Sequence, residues 1–340
     1  MWRIKDKIKV IGYGFIIFSL FISITSILYA ISLNNKREQF FQSQGIIYQK
    51  FSVQMQDEVQ IHGLLYVKEN LYLFDNNSVY TILLLNGINS RKEDNFYKVY
   101  QLVERNYAVI SIEQRGHGES GGPSGFLSKE PYDMIEILDF IESNFQFVNI
   151  THIGLLGFSY GGGVGAILQA IDDRIYTSVL YHPLTSLNSL LENIPLQNLI
   201  GSTPAIPNIG QIKDAFEIAN ESNSHNLLLI HGTEDILIYP IDSINFYSLL
   251  NGVNRSDIEL ILRGGLDHGG NEANLISLKL SIIWFEYYYY NNSIDITNIE
   301  NELPYFDLFN LTYPDTIVSE ILLIVSVILL FLGMTILIIK

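Results

Sequence analysis

The chain has 340 residues, and its 48% hydrophobic content is enough to bury a sizeable core. A formal net charge of −16 argues against a nucleic-acid-binding protein, because that role needs clustered Lys and Arg to neutralise phosphates. The sequence contains no cysteine, which excludes disulfides, thiolate nucleophiles and cysteine-based zinc sites.

An uncharged stretch of 24 residues, from Val10 to Leu33, is long enough to cross a bilayer. A cleaved signal peptide is the alternative, but the run is longer than a usual h-region and no small-x-small cleavage site stands near Ala30. We therefore predict an uncleaved transmembrane helix over residues 10–33. The basic residues before it indicate that the tail, residues 1–9, is cytoplasmic.

A second uncharged run of 19 residues extends from Ile321 to Ile339, between Glu320 and Lys340. It predicts another transmembrane helix, over 317–339. Two spans return the chain to its starting side, where a terminal lysine is expected. The sequence thus predicts a multi-pass membrane protein with both termini cytoplasmic and residues 34–316 extracytoplasmic.

Between the two predicted spans, short apolar runs alternate with amphipathic stretches. This order is typical of an α/β fold with a mostly parallel eight-stranded sheet, an antiparallel edge and helices on both faces. The predicted strands are 46–53, 60–67, 79–85, 108–112, 150–157, 177–181, 226–231 and 258–262. The predicted helices are 91–105, 131–144, 161–171 and 271–289.

One segment interrupts the alternation. Residues 183–224 contain four prolines and fall between two predicted strands. An insertion of this length at the carboxyl edge of a sheet is typical of a cap or lid, and an ordinary meandering connection is the alternative.

The Gly157-Phe158-Ser159-Tyr160-Gly161 segment joins a predicted buried strand to a predicted helix. In such a segment the serine occupies a sharp strand-to-helix turn with its hydroxyl exposed above the sheet. A serine of an ordinary tight turn is the alternative. A serine hydroxyl is a weak nucleophile at neutral pH, so Ser159 would need a base and a group to orient that base.

Candidates for both partners follow in the sequence. Asp235 stands just after a strand that ends in a polar loop, and His268 lies in a glycine-rich loop after the next strand. The order Ser, Asp, His is the one that this architecture uses. Glu234 and Asp267 are rival acids, although Asp267 adjoins His268, and neighbouring side chains usually diverge.

With these motifs, and with Arg115-Gly116-His117-Gly118-Glu119-Ser120, the chain resembles the α/β-hydrolase superfamily, in its serine esterase, monoacylglycerol lipase and serine aminopeptidase group. The resemblance spans residues 79 to 285. It implies that Ser159 is the nucleophile, His268 the general base and Asp235 the acid that orients it.

A developing oxyanion needs two backbone donors, and the amide of Tyr160, directly after the nucleophile, is one of them. The second is expected from the loop after the 79–85 strand, most plausibly from Ile88. Relatives usually have His-Gly there, whereas this chain has Asn86-Gly87. Because the donor is a backbone amide, the loss of the histidine need not abolish the oxyanion hole.

The remaining histidines show no metal-ligand spacing, so no metal and no cofactor is expected, and His117 is expected to be structural. The sequence therefore predicts a membrane-anchored serine hydrolase that cleaves carboxylic esters of an apolar or lipid-like substrate through an acyl-enzyme. A serine peptidase of short peptides and a catalytically silent binding module are the alternatives.

Overall fold

The structure is a computed structural model, and it describes residues 4–73, 77–186, 214–252, 255–290, 325, 327–332 and 334. The chain divides into two compact units. One comprises residues 1–44 with 305–340, and the other is Gly45–Pro304.

The first unit contains the long helix α1 (Ile4–Ser43). Within the residues that the structure describes, the Tyr13–Ser43 part of α1 is long and apolar enough to cross a membrane. Its most apolar 18-residue stretch has a mean hydropathy of 2.3. A signal sequence has the same properties, so the helix indicates membrane association only weakly. Most of the second predicted span lies outside the described residues, and that span stays a prediction.

The second unit is built on eight strands and eight helices in the described part of the chain. The strands are β1 (Ile46–Gln54), β2 (Gln60–Lys68), β3 (Val79–Leu85), β4 (Ala108–Glu113), β5 (Val148–Phe158), β6 (Ile175–Tyr181), β7 (Leu227–Gly232) and β8 (Ile258–Arg263). The helices are α2 (Glu69–Tyr72), α3 (Phe96–Glu104), α4 (Glu130–Asn144), α5 (Ser159–Ile171), α6 (Ala215–Ile218), α7 (Pro240–Leu250), α8 (His268–Ala273) and α9 (Leu275–Tyr290).

All eight strands form one sheet in the order β1-β2-β4-β3-β5-β6-β7-β8. The β1–β2 and β2–β4 pairs are antiparallel, and every other pair is parallel. The predicted eight-stranded, mostly parallel sheet with an antiparallel edge is confirmed. The inner strands β3 to β7 are buried on both faces over most of their length, which explains their nearly continuous apolar sequences, whereas the edge strand β8 is partly exposed.

Helices cover both faces of this sheet. On one face, Leu83 and Leu155 join a core cluster with Met134 of α4 and Val164 of α5. On the other face, the space above Gly154 is filled by Ile82, Phe285 and Tyr289. Each fully buried side chain of this size stabilises the fold by roughly 1.5–3 kcal/mol.

Two predicted helices have different bounds. The predicted helix 91–105 begins only at Phe96, because Asn95 has φ of 58° and this left-handed conformation cannot continue a helix backward. The predicted helix 271–289 is split into α8 and α9 at Asn274, whose side chain accepts hydrogen bonds from the amides of Ile276 and Ser277.

Helix α7 was not predicted from the sequence. This helix begins with Pro240 in its first turn, as helices often do, but its apolar side chains are not concentrated on one face. Residues 187–213, which form most of the predicted cap, lie outside the described residues, so the cap prediction is not tested.

Candidate active site

Ser159 occupies a sharp turn between β5 and α5. Its φ of 52° places a non-glycine residue in the left-handed region, which is a strained conformation typical of functional sites. The next helix starts at the same residue, so the hydroxyl is presented at the carboxyl end of a central parallel strand. The predicted strand-to-helix turn is present.

The two glycines of the motif make room for this turn. A Cβ on Gly161 would collide with the carbonyl oxygens of Leu85 and Asn86, and a Cβ on Gly157 would lie 2.9 Å from the carbonyl oxygen of Gly161. These neighbours are backbone atoms, which cannot rotate away. The close approach of α5 to the end of β3 therefore requires glycine at position 161.

Neighbouring strands deliver further polar residues to the same edge. Phe158 of β5 pairs with Tyr181 of β6, so His182 directly follows β6 at the level of Ser159. The amide of Leu184 donates to the carbonyl of Ser159 at 3.0 Å. Ligand and catalytic sites of open parallel sheets lie at this edge, outside the carboxyl ends of the strands.

Asp235 and His268 meet across the loops that follow β7 and β8. Nδ1 of His268 lies 2.6 Å from Oδ2 of Asp235. The loops approach closely because Gly232 leaves space for the carbonyl of Leu266, and because the Glu234 amide donates to that carbonyl at 3.0 Å. Within the part of the chain that the structure describes, Ser159 and His268 are not hydrogen-bonded to each other. Contacts of that kind often tighten only when substrate binds.

The two rival acids have other positions. Asp267 is exposed and caps α8, with its side chain accepting from the Gly270 amide at 2.6 Å. Glu234 is also exposed. Asp235, by contrast, is 2% exposed and is the acid that contacts His268.

The carboxylate of Asp235 is held by several donors. Its Oδ1 accepts from the amides of Leu237 and Ile238 at 2.9 and 3.1 Å, and Nε2 of the buried His231 lies 3.4 Å from its Oδ2. Burial alone would raise the pKa of Asp235, but its contacts with His231 and His268 outweigh burial and hold that pKa below its usual value. The group is therefore a carboxylate at neutral pH, as an orienting acid must be.

A second acid–imidazole pair lies beside the first. Nε2 of His182 lies 2.9 Å from Oε1 of Glu272, and the His182 and His268 rings are 3.9 Å apart between centroids. His182 has φ of 33°, a second strained residue at this edge. Burial, partly offset by Glu272, lowers the pKa of His182 to about 4, so this imidazole is neutral near pH 7. No sequence motif indicates a role for either His182 or Glu272.

The loop after β3 carries the predicted oxyanion donor Ile88 and is fixed through Asn86. Nδ2 of Asn86 donates to the Arg91 carbonyl and to Ser111 Oγ at 3.1 and 3.2 Å, and its Oδ1 accepts from Asn95 at 2.7 Å. Lys98 Nζ in turn donates to Asn95 Oδ1 at 2.5 Å. Asn86 thus anchors the loop by its side chain, in the position where relatives usually have histidine.

The Arg115–Ser120 motif forms a buried support. Arg115 pairs with Asp133 and Asp57 at 2.5 and 2.8 Å, and Ser120 Oγ donates to the Glu113 carbonyl at 2.6 Å. His117 Nδ1 contacts the Arg115 carbonyl at 2.9 Å. The His117 ring also packs against the Tyr160 ring, at 5.6 Å between centroids. These contacts tie the loop to neighbouring elements, which is consistent with the structural role expected for His117.

Comparisons with known proteins agree with this architecture. Residues 80–198 match the family model described as alpha/beta hydrolase fold. The chain is similar to the Pyrococcus furiosus esterase Pf2001, with a TM-score of 0.58 and 20% identity over 74% of this chain and 94% of that one. A comparison with curated protein sequences finds no match.

Two further solved structures are similar. The Pyrococcus horikoshii acylaminoacyl peptidase has a TM-score of 0.60 and 15% identity, over 75% of this chain and 44% of the peptidase. The alpha/beta hydrolase GrgF from Penicillium sp. sh18 has a TM-score of 0.56 and 14% identity, over 72% of this chain and 99% of that one. The predicted resemblance is confirmed: this chain has the α/β-hydrolase fold.

Proposed function

We propose that the protein is a membrane-anchored serine hydrolase that cleaves carboxylic esters through an acyl-enzyme intermediate. The observation that carries this proposal is the 2.6 Å contact between His268 and Asp235 at the sheet edge that also holds the strained turn of Ser159. A serine, an imidazole and a buried carboxylate in this order supply the three groups that nucleophilic acyl transfer needs.

In the proposed reaction, Ser159 Oγ attacks the ester carbonyl while Nε2 of His268 takes the hydroxyl proton. Asp235 holds Nδ1 of His268 and stabilises the imidazolium that forms. The imidazolium then protonates the leaving alcohol, which departs and leaves the acyl group on Ser159. Water, deprotonated by the same imidazole, attacks the acyl-enzyme and releases the acid. The amides of Ile88 and Tyr160 would stabilise the oxyanion at both steps.

We further propose an apolar acyl or lipid-like ester as substrate. Ile236 and Leu237, directly after Asp235, are 76% and 54% exposed, and Ile88 of the oxyanion loop is 53% exposed. Exposed apolar side chains in the loops around a site favour a hydrophobic ligand. The apolar helix α1 would hold the enzyme beside such substrates in the bilayer.

The direct test is turnover of p-nitrophenyl esters by the detergent-solubilised full chain. We expect the wild type to hydrolyse a medium-chain ester and Ser159→Ala to lose the activity while keeping its thermal unfolding midpoint. Equal rates in the two proteins would refute the proposal.

The membrane arrangement is a separate proposal, with both termini cytoplasmic and residues 34–316 outside. It is supported by the basic residues before the uncharged stretch that begins at Val10 and by Lys340 after the second predicted span. Protease added to intact cells should cleave residues 34–316. If residues 34–316 were cleaved only after the cells are permeabilised, these residues would be cytoplasmic and the proposed orientation would be reversed.

A second candidate keeps the same residues but cleaves a peptide bond. It is favoured by the structural similarity to an acylaminoacyl peptidase, at a TM-score of 0.60. The ratio of kcat/KM for acyl esters to that for aminoacyl amides separates the two candidates. A ratio in favour of the amide would replace the esterase proposal.

A further inference from the structure

Three metal-ligand side chains converge next to the Asp235–His268 contact. His182, His268 and Glu272 each offer one ligand atom, and these atoms lie within 4.8 Å of one another. Sequence spacing could not reveal this group, because His182 follows β6 whereas the other two lie on α8. We refer to these three residues as the His-His-Glu cluster.

The fold presents the cluster in a chelating arrangement. His268 and Glu272 are four residues apart on α8, so their side chains lie on one face of the helix. The ring of His182 lies beside that face, at 3.9 Å from the His268 ring with a tilt of 36°. Oε1 of Glu272 already lies 2.9 Å from Nε2 of His182.

The surroundings also match those of a metal site. Metal-bound imidazoles usually donate their other ring N–H to a carboxylate, which fixes the ring orientation. Nδ1 of His268 lies 2.6 Å from Asp235 Oδ2, and Nδ1 of His182 lies 4.0 Å from the same oxygen. Nδ1 of His268 thus has a carboxylate partner, whereas Nδ1 of His182 contacts the side-chain amide of Asn271 at 3.4 Å. The Nε2 atoms of both rings are left for an ion.

We propose that the His-His-Glu cluster binds a zinc-like divalent transition metal ion, and that the bound ion inhibits the enzyme by occupying Nε2 of His268. Two imidazoles and one carboxylate are a known ligand set for Zn²⁺, whereas Mg²⁺ and Ca²⁺ prefer oxygen ligands alone. The inhibitory clause rests on the proposed function, and the binding clause does not.

Binding needs only a small rearrangement. Bonds of about 2.0–2.2 Å to one ion bring ligand atoms closer together than the present limit of 4.8 Å. His268 and Glu272 are 17% and 18% exposed, so they can move inward, and they provide a path for the ion from solvent. The ion replaces the His182–Glu272 hydrogen bond, and the one proton of the neutral His182 ring moves to Nδ1, which must turn from the Asn271 side-chain amide toward Asp235 Oδ2.

The binding clause is tested by calorimetric titration of the full chain in detergent with ZnCl₂. We expect one saturable site in the wild type. Glu272→Gln and His182→Gln should each weaken binding roughly tenfold or more, since each removes one ligand. His62→Gln, which changes a histidine outside the cluster, should bind as the wild type does.

Thermal unfolding without metal shows whether each variant folds. Glu272→Gln keeps the size of a partly exposed side chain, so it remains informative even if the buried His182→Gln variant does not fold. Absence of a saturable site in the wild type would overturn the proposal, as would unchanged affinity in Glu272→Gln.

The inhibitory clause is tested by ester hydrolysis with added ZnCl₂ and then EDTA. We expect zinc to slow the wild type, EDTA to restore its rate, and Glu272→Gln to need at least about tenfold more zinc for the same fractional loss. Zinc that binds without slowing hydrolysis would overturn this clause. A wild type that hydrolyses no ester without metal would instead count against the proposed function, and the calorimetric result would stand alone.

Discussion

Nδ1 of His268 lies 2.6 Å from Oδ2 of Asp235, although the two residues belong to loops after different strands. The contact depends on the close passage of these loops at Gly232, where a side chain would strike the Leu266 carbonyl. The parallel pairing of β7 with β8 thus brings a predicted acid and a predicted base together. Ser159 reaches the same edge through β5.

Replacing Asp235 by Asn should reduce kcat for ester hydrolysis by on the order of 10³–10⁴-fold, because an amide does not hold the imidazole in the required tautomer. Asp267→Asn is the matched control, since Asp267 caps α8 and does not contact the imidazole through its side chain. Its kcat should stay within about threefold of the wild type, because asparagine caps a helix about as well as aspartate and its side-chain oxygen can still accept from the Gly270 amide. A larger loss in Asp267→Asn than in Asp235→Asn would reverse the assignment of the acid.

Gly161→Ala should destabilise the protein by about 1–3 kcal/mol or more, because its Cβ would collide with backbone oxygens at the end of β3. Gly264→Ala is the control, since a Cβ there meets no atom within 4 Å. The measurement is the shift in the urea midpoint for each variant. Equal midpoints would mean that the close approach of α5 to β3 does not occur.

Lys92 forms ion pairs with Glu113 and Glu119, next to the Arg115–Ser120 motif. Loss of Lys92 and loss of Glu119 should differ in their effect on stability. Lys92 Nζ contacts Glu113 and Glu119 at 3.1 and 2.7 Å, but Glu113 is 1% exposed and Glu119 is 60% exposed. Lys92→Met should cost about 3–5 kcal/mol, because it leaves the Glu113 carboxylate buried without its partner. Glu119→Gln should cost no more than about 1 kcal/mol. The measurement is the free energy of unfolding of both variants in denaturant. Similar decreases in the two variants would contradict this account.

Lys98 predicts a pH-dependent stability. Burial, partly offset by Glu272, lowers the pKa of Lys98 to about 8 in the folded protein, against 10.5 for the free side chain. Between these values the unfolded chain binds more protons, so the free energy of unfolding should rise with pH. Lys98→Met removes the ammonium group together with its hydrogen bond to Asn95, so its unfolding free energy relative to the wild type should be higher below pH 8 than above pH 10.5, by on the order of 3 kcal/mol.

The difference in unfolding free energy between Lys98→Met and the wild type should fall from about pH 8 and become constant above about pH 10.5, where lysine is neutral in both states. The measurement is the difference in unfolding free energy between variant and wild type at several pH values. A difference that is constant with pH would show that the ammonium group is not desolvated.

The inner strands were predictable from the sequence because they are short apolar runs bounded by polar residues, and buried parallel strands have this pattern. Helix starts were less predictable, since they depend on single backbone conformations. The αL residue Asn95 delays α3, and the cap Asn274 divides α8 from α9. Neither effect changes the apolar periodicity that identified the helices.

In the candidate site, too, some residues could be predicted from the sequence and others could not. Ser159, Asp235 and His268 stand in local motifs, so the sequence indicates them directly. His182 and Glu272 carry no local pattern, because their contact joins the end of β6 to α8. The role of Asn86 in holding the loop after β3 likewise depends on Asn95 and Ser111, which follow it by 9 and 25 residues in the chain.

The account depends most directly on the reactivity of Ser159. The full chain should be treated with a fluorophosphonate probe, which reacts with activated serines, and its mass measured intact and after digestion. We predict one adduct, located on Ser159, that is absent from Ser159→Ala and strongly reduced in His268→Ala. No adduct on the wild type, or an adduct that persists in Ser159→Ala, would contradict the proposal that this serine is a nucleophile.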